Sequence, residues 1–308
     1  MLDLRRLRLL RELHERGTIA AVADALQFTP SAVSQQLAML ERETGVALLA
    51  RAGRGVRLTD PALVLVRHAE ALLAEAALAE ADLAAAVGSV AGRGRIASFQ
   101  SAARRIAIPA MAQLARDAPE LHCELIGAEP EDALPALALG DVDLVVGDEW
   151  QHAPWRMPPG LERHELLLDP VVVALPANHA AARRRRTVPL GELADAPWIT
   201  GPTGLGWDEL TERLCREHGR FTPRIRHRMN DAVVAAALVA DGLGVALLPG
   251  LALPDDDPRI AVRSVAGARP TRAIHAVTRA SDAARPSTQA LLAAVRRAAR
   301  TRRLPARP

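Results

Sequence analysis

The chain has no lysine and no tyrosine, and only three phenylalanines, four tryptophans and two cysteines among its 308 residues. Each scarcity excludes something. Without lysine there can be no G-x-x-x-x-G-K-[ST] phosphate loop. Cys123 and Cys215, with no metal-ligand spacing near either, read as reduced structural thiols. The histidines show no His-x-x-x-His or His-Cys spacing, so a zinc site has no support. Gly201, Gly204 and Gly206, and again Gly242 and Gly244, lack the strand, full glycine fingerprint and helix in the order that dinucleotide binding requires. No G-x-S-x-G elbow occurs. Catalysis, a cofactor and a metal are therefore not expected. So few aromatic rings also argue against a cage for large flat cations. The longest apolar stretch, Ala232 to Leu253, is broken by Asp241 and several glycines, and Arg5, Arg6 and Arg8 are followed by no uninterrupted apolar run. Neither a membrane span nor a secretion signal is expected, and the chain reads as cytoplasmic.

What is present is a globular composition, 49% hydrophobic and 24% charged, in a length that suits a small domain plus a larger one. The net charge of +3 says little about nucleic acid, so placement of charge matters more. Leu4, Leu7, Leu10 and Leu13 give an amphipathic helix that Gly17 can end. Ile19 to Leu26 forms a second helix behind Thr18 as N-cap, and a third begins at Thr29-Pro30, an N-cap followed by proline at the first helical position. On that third helix Val33, Leu37 and Leu40 must face inward, while Ser31, Ser34, Gln35, Ala38 and Arg42 line the other side. Small hydroxyls and an amide suit base edges and phosphates. Arg51, Arg54 and Arg57 then flank Gly53 and Gly55 in a turn between short apolar strands, where they can reach phosphates or a narrow minor groove.

Ala32-Val33-Ser34-Gln35-Gln36-Leu37, Leu40-Glu41, Gly45-Val46, Leu48-Leu49-x-Arg51 and Leu58-Thr59 together resemble the DNA-binding head of the LysR-type transcriptional regulators. The chain departs from the common pattern at Thr29-Pro30-Ser31, where Ser-Gln-Pro is usual, at Leu49, where Phe is usual, and at Asp60-Pro61-Ala62. None of these removes a core position. Gly140-Asp141-Val142-Asp143-Leu144 and the phrase from Leu238 to Pro249 resemble the effector-binding domain of the same family, so the resemblance covers nearly the whole chain.

Pro61 to about Val87 is almost entirely Ala, Leu, Val and Glu, with Leu65, Leu72, Ala79 and Ala86 at seven-residue steps and Ala69, Ala76 and Leu83 offset by four. This predicts one long helix with a seam for a partner helix, ended by a glycine-rich connection from Gly88 to Gly94. Beyond it, strand runs alternate with helices, the mark of an α/β domain. Strands are predicted at Arg95–Phe99, Leu121–Ala128, Val142–Val146, Val171–Leu175, Trp198–Thr200, Arg224–Met229, Val245–Leu248 and Ala273–Thr278. Helices are predicted at Ala102–Arg116, Glu131–Leu139, Trp207–His218, Asp231–Asp241 and Ser287–Arg303. Connections near Gly147 to Glu165 and Leu251 to Val265 suggest two lobes with a ligand between them. The run Arg183 to Arg186 reads as a solvated loop.

The expected protein is thus an α/β multidomain chain: an N-terminal winged helix-turn-helix (residues 1–60), a linker helix and hinge for dimerisation (61–90), and a C-terminal two-lobed, periplasmic-binding-protein-like α/β sensor (91–303) before a flexible tail (304–308). Lobe I would hold about 91–163 and 266–303, lobe II about 164–265. Thr29 and Pro30 would set helix entry, Ser31, Ser34 and Gln35 would contact DNA, and Arg51, Arg54 and Arg57 would grip its backbone. If the lobes close on a small molecule, helix N-termini favour anions or carbonyl oxygens. Ser98, Gln100, Ser101 and Ala102 in one lobe and Thr200, Gly201, Pro202 and Thr203 in the other are then the candidates, with Asp148, Asn230 and Asp231 completing the pocket. Each of these could equally be a cap or turn residue. The resemblance implies promoter DNA and a small-molecule effector as partners and a homodimer or homotetramer, and leaves room for RNA polymerase. The heptad seam by itself supports only pairing. The reading from a different class is a small-molecule binding protein whose helical head serves protein contacts.

Overall fold

The computed structural model describes residues 2–26, 28–52, 55–86, 90–150, 155, 157–158, 160–184 and 186–301. Two compact units result, residues 1–86 and 87–308.

In the first, α1 (Leu4–Arg16), α2 (Ile19–Leu26) and α3 (Pro30–Thr44) precede a hairpin of β1 (Leu49–Ala52) and β2 (Gly55–Leu58) and the long helix α4 (Asp60–Ala86). The helix starts follow from local chemistry. Asp3, Thr18 and Thr29 accept the amide hydrogens of Arg5, Ala21 and Ala32 at 2.8, 3.2 and 3.2 Å, meeting donors that no helical carbonyl can reach. Gly45 ends α3 at φ +70°, a conformation in which a Cβ would be strained, and its N–H closes on the Glu41 carbonyl. Leu7, Leu10, Val22, Val33, Leu37, Leu40 and Leu48 are buried together, as the 3.6-residue period requires.

Helix α4 adds Ala62, Val66 and Ala69 to that core. Part of the expected partner seam is therefore used inside the chain: Ala69 is buried and Leu65 packs on the same cluster, whereas Leu72 and Leu83 are 42% and 70% exposed. The expected connection from Gly88 to Gly94 falls partly outside the described residues, since 87–89 are among those not described. Gly92 and Gly94 belong to a strand instead, because β3 (Gly92–Ser98) already pairs with β4 (Leu121–Gly127) from Gly92 onward.

The second unit continues with α5 (Gln100–Ala102), a π-helical turn over 103–107, α6 (Ile108–Asp117), α7 (Pro130–Leu139), β5 (Leu144–Trp150) and β6 (Leu161–Pro176). It ends with β7 (Thr187–Val188), β8 (Pro197–Thr200), α8 (Gly206–Leu214), β9 (Arg224–Arg228), α9 (Ala232–Ala240), β10 (Val245–Pro249), β11 (Ile260–Val265), β12 (Thr271–Arg279) and α10 (Pro286–Arg300). Strands run in the order β4-β3-β5-β12-β6-β10-β8-β9, with β11 bridging β6 and β7. The pairs β3–β4, β3–β5, β8–β9 and β8–β10 are parallel, and β12 and β6 are antiparallel to their neighbours.

The sixteen-residue β6 is the joint between the lobes. Residues 161–170 pair with β12, and residues 171–176 pair with β10 and β11. The expected lobe border at 163/164 therefore lies within one continuous strand, and the change of partners comes at Pro170–Val171. The charged, non-alternating stretch before Pro170 carries little strand signal, which is why only Val171 to Leu175 was anticipated. The second crossing lies between β11 and β12, residues 266–270, immediately past the stretch from Leu251 to Val265 near which it is expected. Each lobe holds an apolar cluster: Ile96, Ile106, Leu144 and Leu291 mark that of lobe I, and Trp198, Leu210, Leu214 and Leu247 that of lobe II. Among the described residues no helix is long and apolar enough to cross a membrane.

Candidate nucleic-acid interface and ligand cleft

Helix α3 presents Thr29, Pro30, Ser31, Ser34, Gln35, Ala38 and Arg42 at the surface, opposite its buried Val33, Leu37 and Leu40. The hydroxyls of Thr29 and Ser31 lie 3.0 Å apart, and Ser34 donates to the Pro30 carbonyl at 2.9 Å, so both serine oxygens are held at fixed places on the exposed first turn. Phe28, 57% exposed just ahead of the N-cap, is a feature of this surface that sequence periodicity did not single out. Arg6 anchors α1 to α3 through Gln36, at 3.0 Å, and through Glu43.

The hairpin separates two arginines that sequence grouped together. Arg51 is opposite Val56 and Arg57 is opposite Ala50, so strand alternation places the two arginines on opposite faces. Arg51 shares its face with Leu49, Val56 and Leu58, which pack on the head core, while Arg57 stands on the outer face. Both are exposed. Arg54 lies outside the described residues.

In the sensor unit the candidate pocket centres on a residue that sequence did not suggest. Arg272, at the start of β12, is 3% exposed and donates through Nε to Asp169 (3.0 Å), through Nη1 to Asp148 (2.7 Å) and through Nη2 to Ser101 (2.9 Å). Phe99 and Trp150 cover its guanidinium, with ring centres 4.9 and 5.6 Å away. Asp169 also accepts the Leu251 N–H at 3.1 Å, so the cluster ties β5, β6, β12 and the turn after β3 to the segment following β10. A Cβ on Gly206 would lie 2.6 Å from the Trp150 ring, and only glycine lets the start of α8 in lobe II approach lobe I this closely.

Of the expected pocket residues, Ser101 and Asp148 meet at Arg272. Ser98 and Ala102 are fully buried, and the Ser98 hydroxyl donates to the Phe99 carbonyl. Thr200 is buried as well, its hydroxyl bonded to Thr211 at 3.0 Å, and Gly201 accepts from Arg228 through its carbonyl at 3.1 Å. Asp231 caps α9 by accepting the Val233 N–H at 2.7 Å, and Pro202 is half-buried. Gln100, Thr203 and Asn230 remain exposed. Arg184, in the basic run expected to be a solvated loop, pairs with Glu192, and Arg185 is outside the described residues.

Glu129, which precedes α7, was also missed. Burial, with the charge of Asp148 next and Glu131 after it, pushes its carboxyl up to about 7 against the pull of Arg272 and a hydrogen bond from Gln100. A carboxyl raised on folding is neutral in the folded chain while the unfolded chain has already lost its proton, so stability falls as pH rises from the ordinary carboxylate range towards neutrality. Glu129→Gln should therefore flatten the loss of sensor stability between about pH 5 and about pH 7.5, and raise stability above it, in urea titrations read across that range. An unchanged slope would contradict this. Burial pushes Cys215 up to about 12 and raises Cys123 as well, which leaves both as protonated thiols at neutral pH and poor nucleophiles.

A three-helix head with a hairpin wing, followed by a two-lobed α/β unit with a buried polar cluster beside the crossing from one lobe to the other, defines a DNA-binding sensor protein. Family models agree in detail: residues 4–63 match the bacterial regulatory helix-turn-helix protein, lysR family, and residues 88–300 match the LysR substrate binding domain. The chain belongs to the LysR family of transcriptional regulators. It is 30% identical over 243 residues to the transcriptional regulator ShiR of Corynebacterium glutamicum, covering 74% of this chain and 79% of ShiR. It is 28% identical over 293 residues to CbbR of Xanthobacter flavus, covering 94% and 86%. Among solved structures, a full-length OxyR variant from Pseudomonas aeruginosa superposes with a TM-score of 0.67 at 21% identity, covering 98% of this chain and 95% of that one. Full-length CbnR in complex with its target DNA gives 0.55 at 23% identity, covering 96% and 100%. These two likenesses carry the fold.

Proposed function

We propose that this LysR-type regulator reads promoter DNA with the first two turns of α3 and that an effector seated between its sensor lobes modulates the reading. Ser31, Ser34 and Gln35 contact base edges and phosphates in the major groove, Thr29 and Pro30 set the angle of entry, and Arg57 and Arg51 hold the backbone from the two faces of the wing. The observation that carries this is the two-sided helix: three buried aliphatic residues behind an exposed hydroxyl and amide surface. A face of that chemistry, held by a packed core, suits a groove. The exposed Leu72 and Leu83 of α4 support pairing of two copies, in keeping with a homodimer or homotetramer. A promoter-bound protein works where the DNA is, in the cytoplasm.

The cleft refines the effector. Three nitrogens of Arg272, the buried cation of this cluster, are already engaged, and two carboxylates answer its one charge, so a bound anion would find no free guanidinium there. Recognition falls to the accessible Gln100, Thr203 and Asn230 and to the half-buried Glu129, groups that both donate and accept, which favour a neutral polar ligand over one that brings negative charge. The DNA-binding part is tested by measuring affinity for the chain's own upstream DNA at several salt concentrations. Arg57→Ala should weaken binding to all sequences and lower the slope of log affinity against log salt by about 1, whereas Gln35→Ala should change sequence preference at a few positions. Equal losses on every duplex for both variants would refute this division.

A further inference from the structure

The wing joins α3 through four residues, and one side chain spans the joint. Glu41 sits one position after the fully buried Leu40, near the end of α3. Its Oε1 accepts two successive backbone amides, Leu48 N–H at 2.8 Å and Leu49 N–H at 2.9 Å, and Leu49 opens β1. The same segment is gripped from its other side by Thr59, whose hydroxyl donates to the Ala47 carbonyl at 2.8 Å and whose N–H donates to the Leu48 carbonyl at 3.0 Å. Two adjacent amides converging on one carboxylate oxygen make a rigid, charge-assisted clamp. It fixes the direction in which the hairpin leaves the recognition helix, and so where Arg57 and Arg51 stand relative to Ser34 and Gln35.

We propose that Glu41 is a positioning residue for DNA binding, acting through the wing arginines and making no DNA contact of its own. The proposal rests on the reading of α3 and the wing given above. Its sign separates it from the simpler view of an acid near a polyanion. If Glu41 merely repelled phosphates, removing its charge would tighten binding. If it aims the wing, removing its acceptor oxygens must weaken binding despite the lost repulsion, and an amide that keeps one acceptor must restore most of it.

The test uses the full chain and a labelled duplex of its own upstream DNA, with affinities measured across salt concentrations for Glu41→Ala, Glu41→Gln, the double variant Arg51→Ala/Arg57→Ala and the combination of that pair with Glu41→Ala. Glu41→Ala should lose about tenfold in affinity and its salt slope should fall towards that of the double arginine variant. Glu41→Gln should stay within about threefold of the parent protein. On the double arginine background Glu41→Ala should cost almost nothing further, because the groups it positions are gone. A full additive loss on that background overturns the proposal alone and makes Glu41 a residue of general head stability. Tighter binding by both Glu41 variants also overturns it, in favour of simple repulsion. Undiminished binding by the double arginine variant removes the wing from the DNA interface, and the proposal falls with that reading.

Discussion

Arg272→Met should lower the stability of the sensor unit by roughly 3–5 kcal/mol, about 10 °C in its unfolding midpoint for a unit of this size, the largest stability effect expected of any substitution in the cleft. The reason is the state of what remains. Asp169 is fully buried and Asp148 nearly so, and both lose their counter-ion at once. Burial already pushes the Asp169 carboxyl up, and the Arg272 charge is the foremost influence opposing it. With the guanidinium gone the folded protein must take up a proton to keep Asp169 neutral, so the variant should regain more stability than the parent protein as pH falls towards the acidic range. The side chain also fills the space between Phe99 and Trp150, and methionine preserves most of that volume, which assigns the loss to charge. Thermal and urea unfolding of the full chain, at neutral and at mildly acidic pH, check both parts. A midpoint within about 2 °C of the parent at neutral pH would mean that water reaches the cluster and that the cleft is more open than its burial indicates.

The same cluster marks the limit of what one sequence discloses. Arg272 meets Asp169, Asp148 and Ser101 across 103, 124 and 171 positions, and no local pattern announces three residues that far apart as one group. Ser101 and Asp148 were anticipated as polar residues at strand ends, but the cation between them was not. Thr200 was legible as a polar residue ending a strand, while its direction, inward to Thr211, depends on how α8 packs, which sequence does not fix. In the head the reverse holds. Proline after an N-cap threonine, a glycine after the last helical turn and apolar residues at 3.6-residue spacing all describe contacts made within a few positions, and α2 and the start of α3 fall where these signals put them. The wing lies between these cases. Its basic, glycine-punctuated turn was visible, but the parity that sends Arg51 and Arg57 to opposite faces follows from the strand register, Ala50 against Arg57, and two four-residue strands carry too little alternation to declare it.

Ser34→Glu should abolish recognition of the upstream duplex while leaving the head folded. Ser34 is exposed on α3, and its hydroxyl donates to the Pro30 carbonyl one turn back, an interaction of little net stability in water. Glutamate is a better helix former than serine and would sit in the first two turns, where negative charge is favoured by the helix dipole, so unfolding should move little. Against DNA the new carboxylate meets phosphates or acceptor-rich base edges. A like-charge contact at about 4–5 Å costs roughly 2–4 kcal/mol at the effective dielectric of a partly desolvated interface, a loss of about a hundredfold or more. Arg57→Ala should cost far less and be largely masked by raised salt, whereas the Ser34→Glu defect should persist for the specific duplex, because it also removes complementarity to the groove. Gel-shift or anisotropy titrations at two salt concentrations, beside a thermal melt of each variant, separate the two. If Ser34→Glu binds within about threefold of the parent chain, the outward side of α3 does not enter DNA, and the exposed hydroxyl and amide surface must serve some other partner.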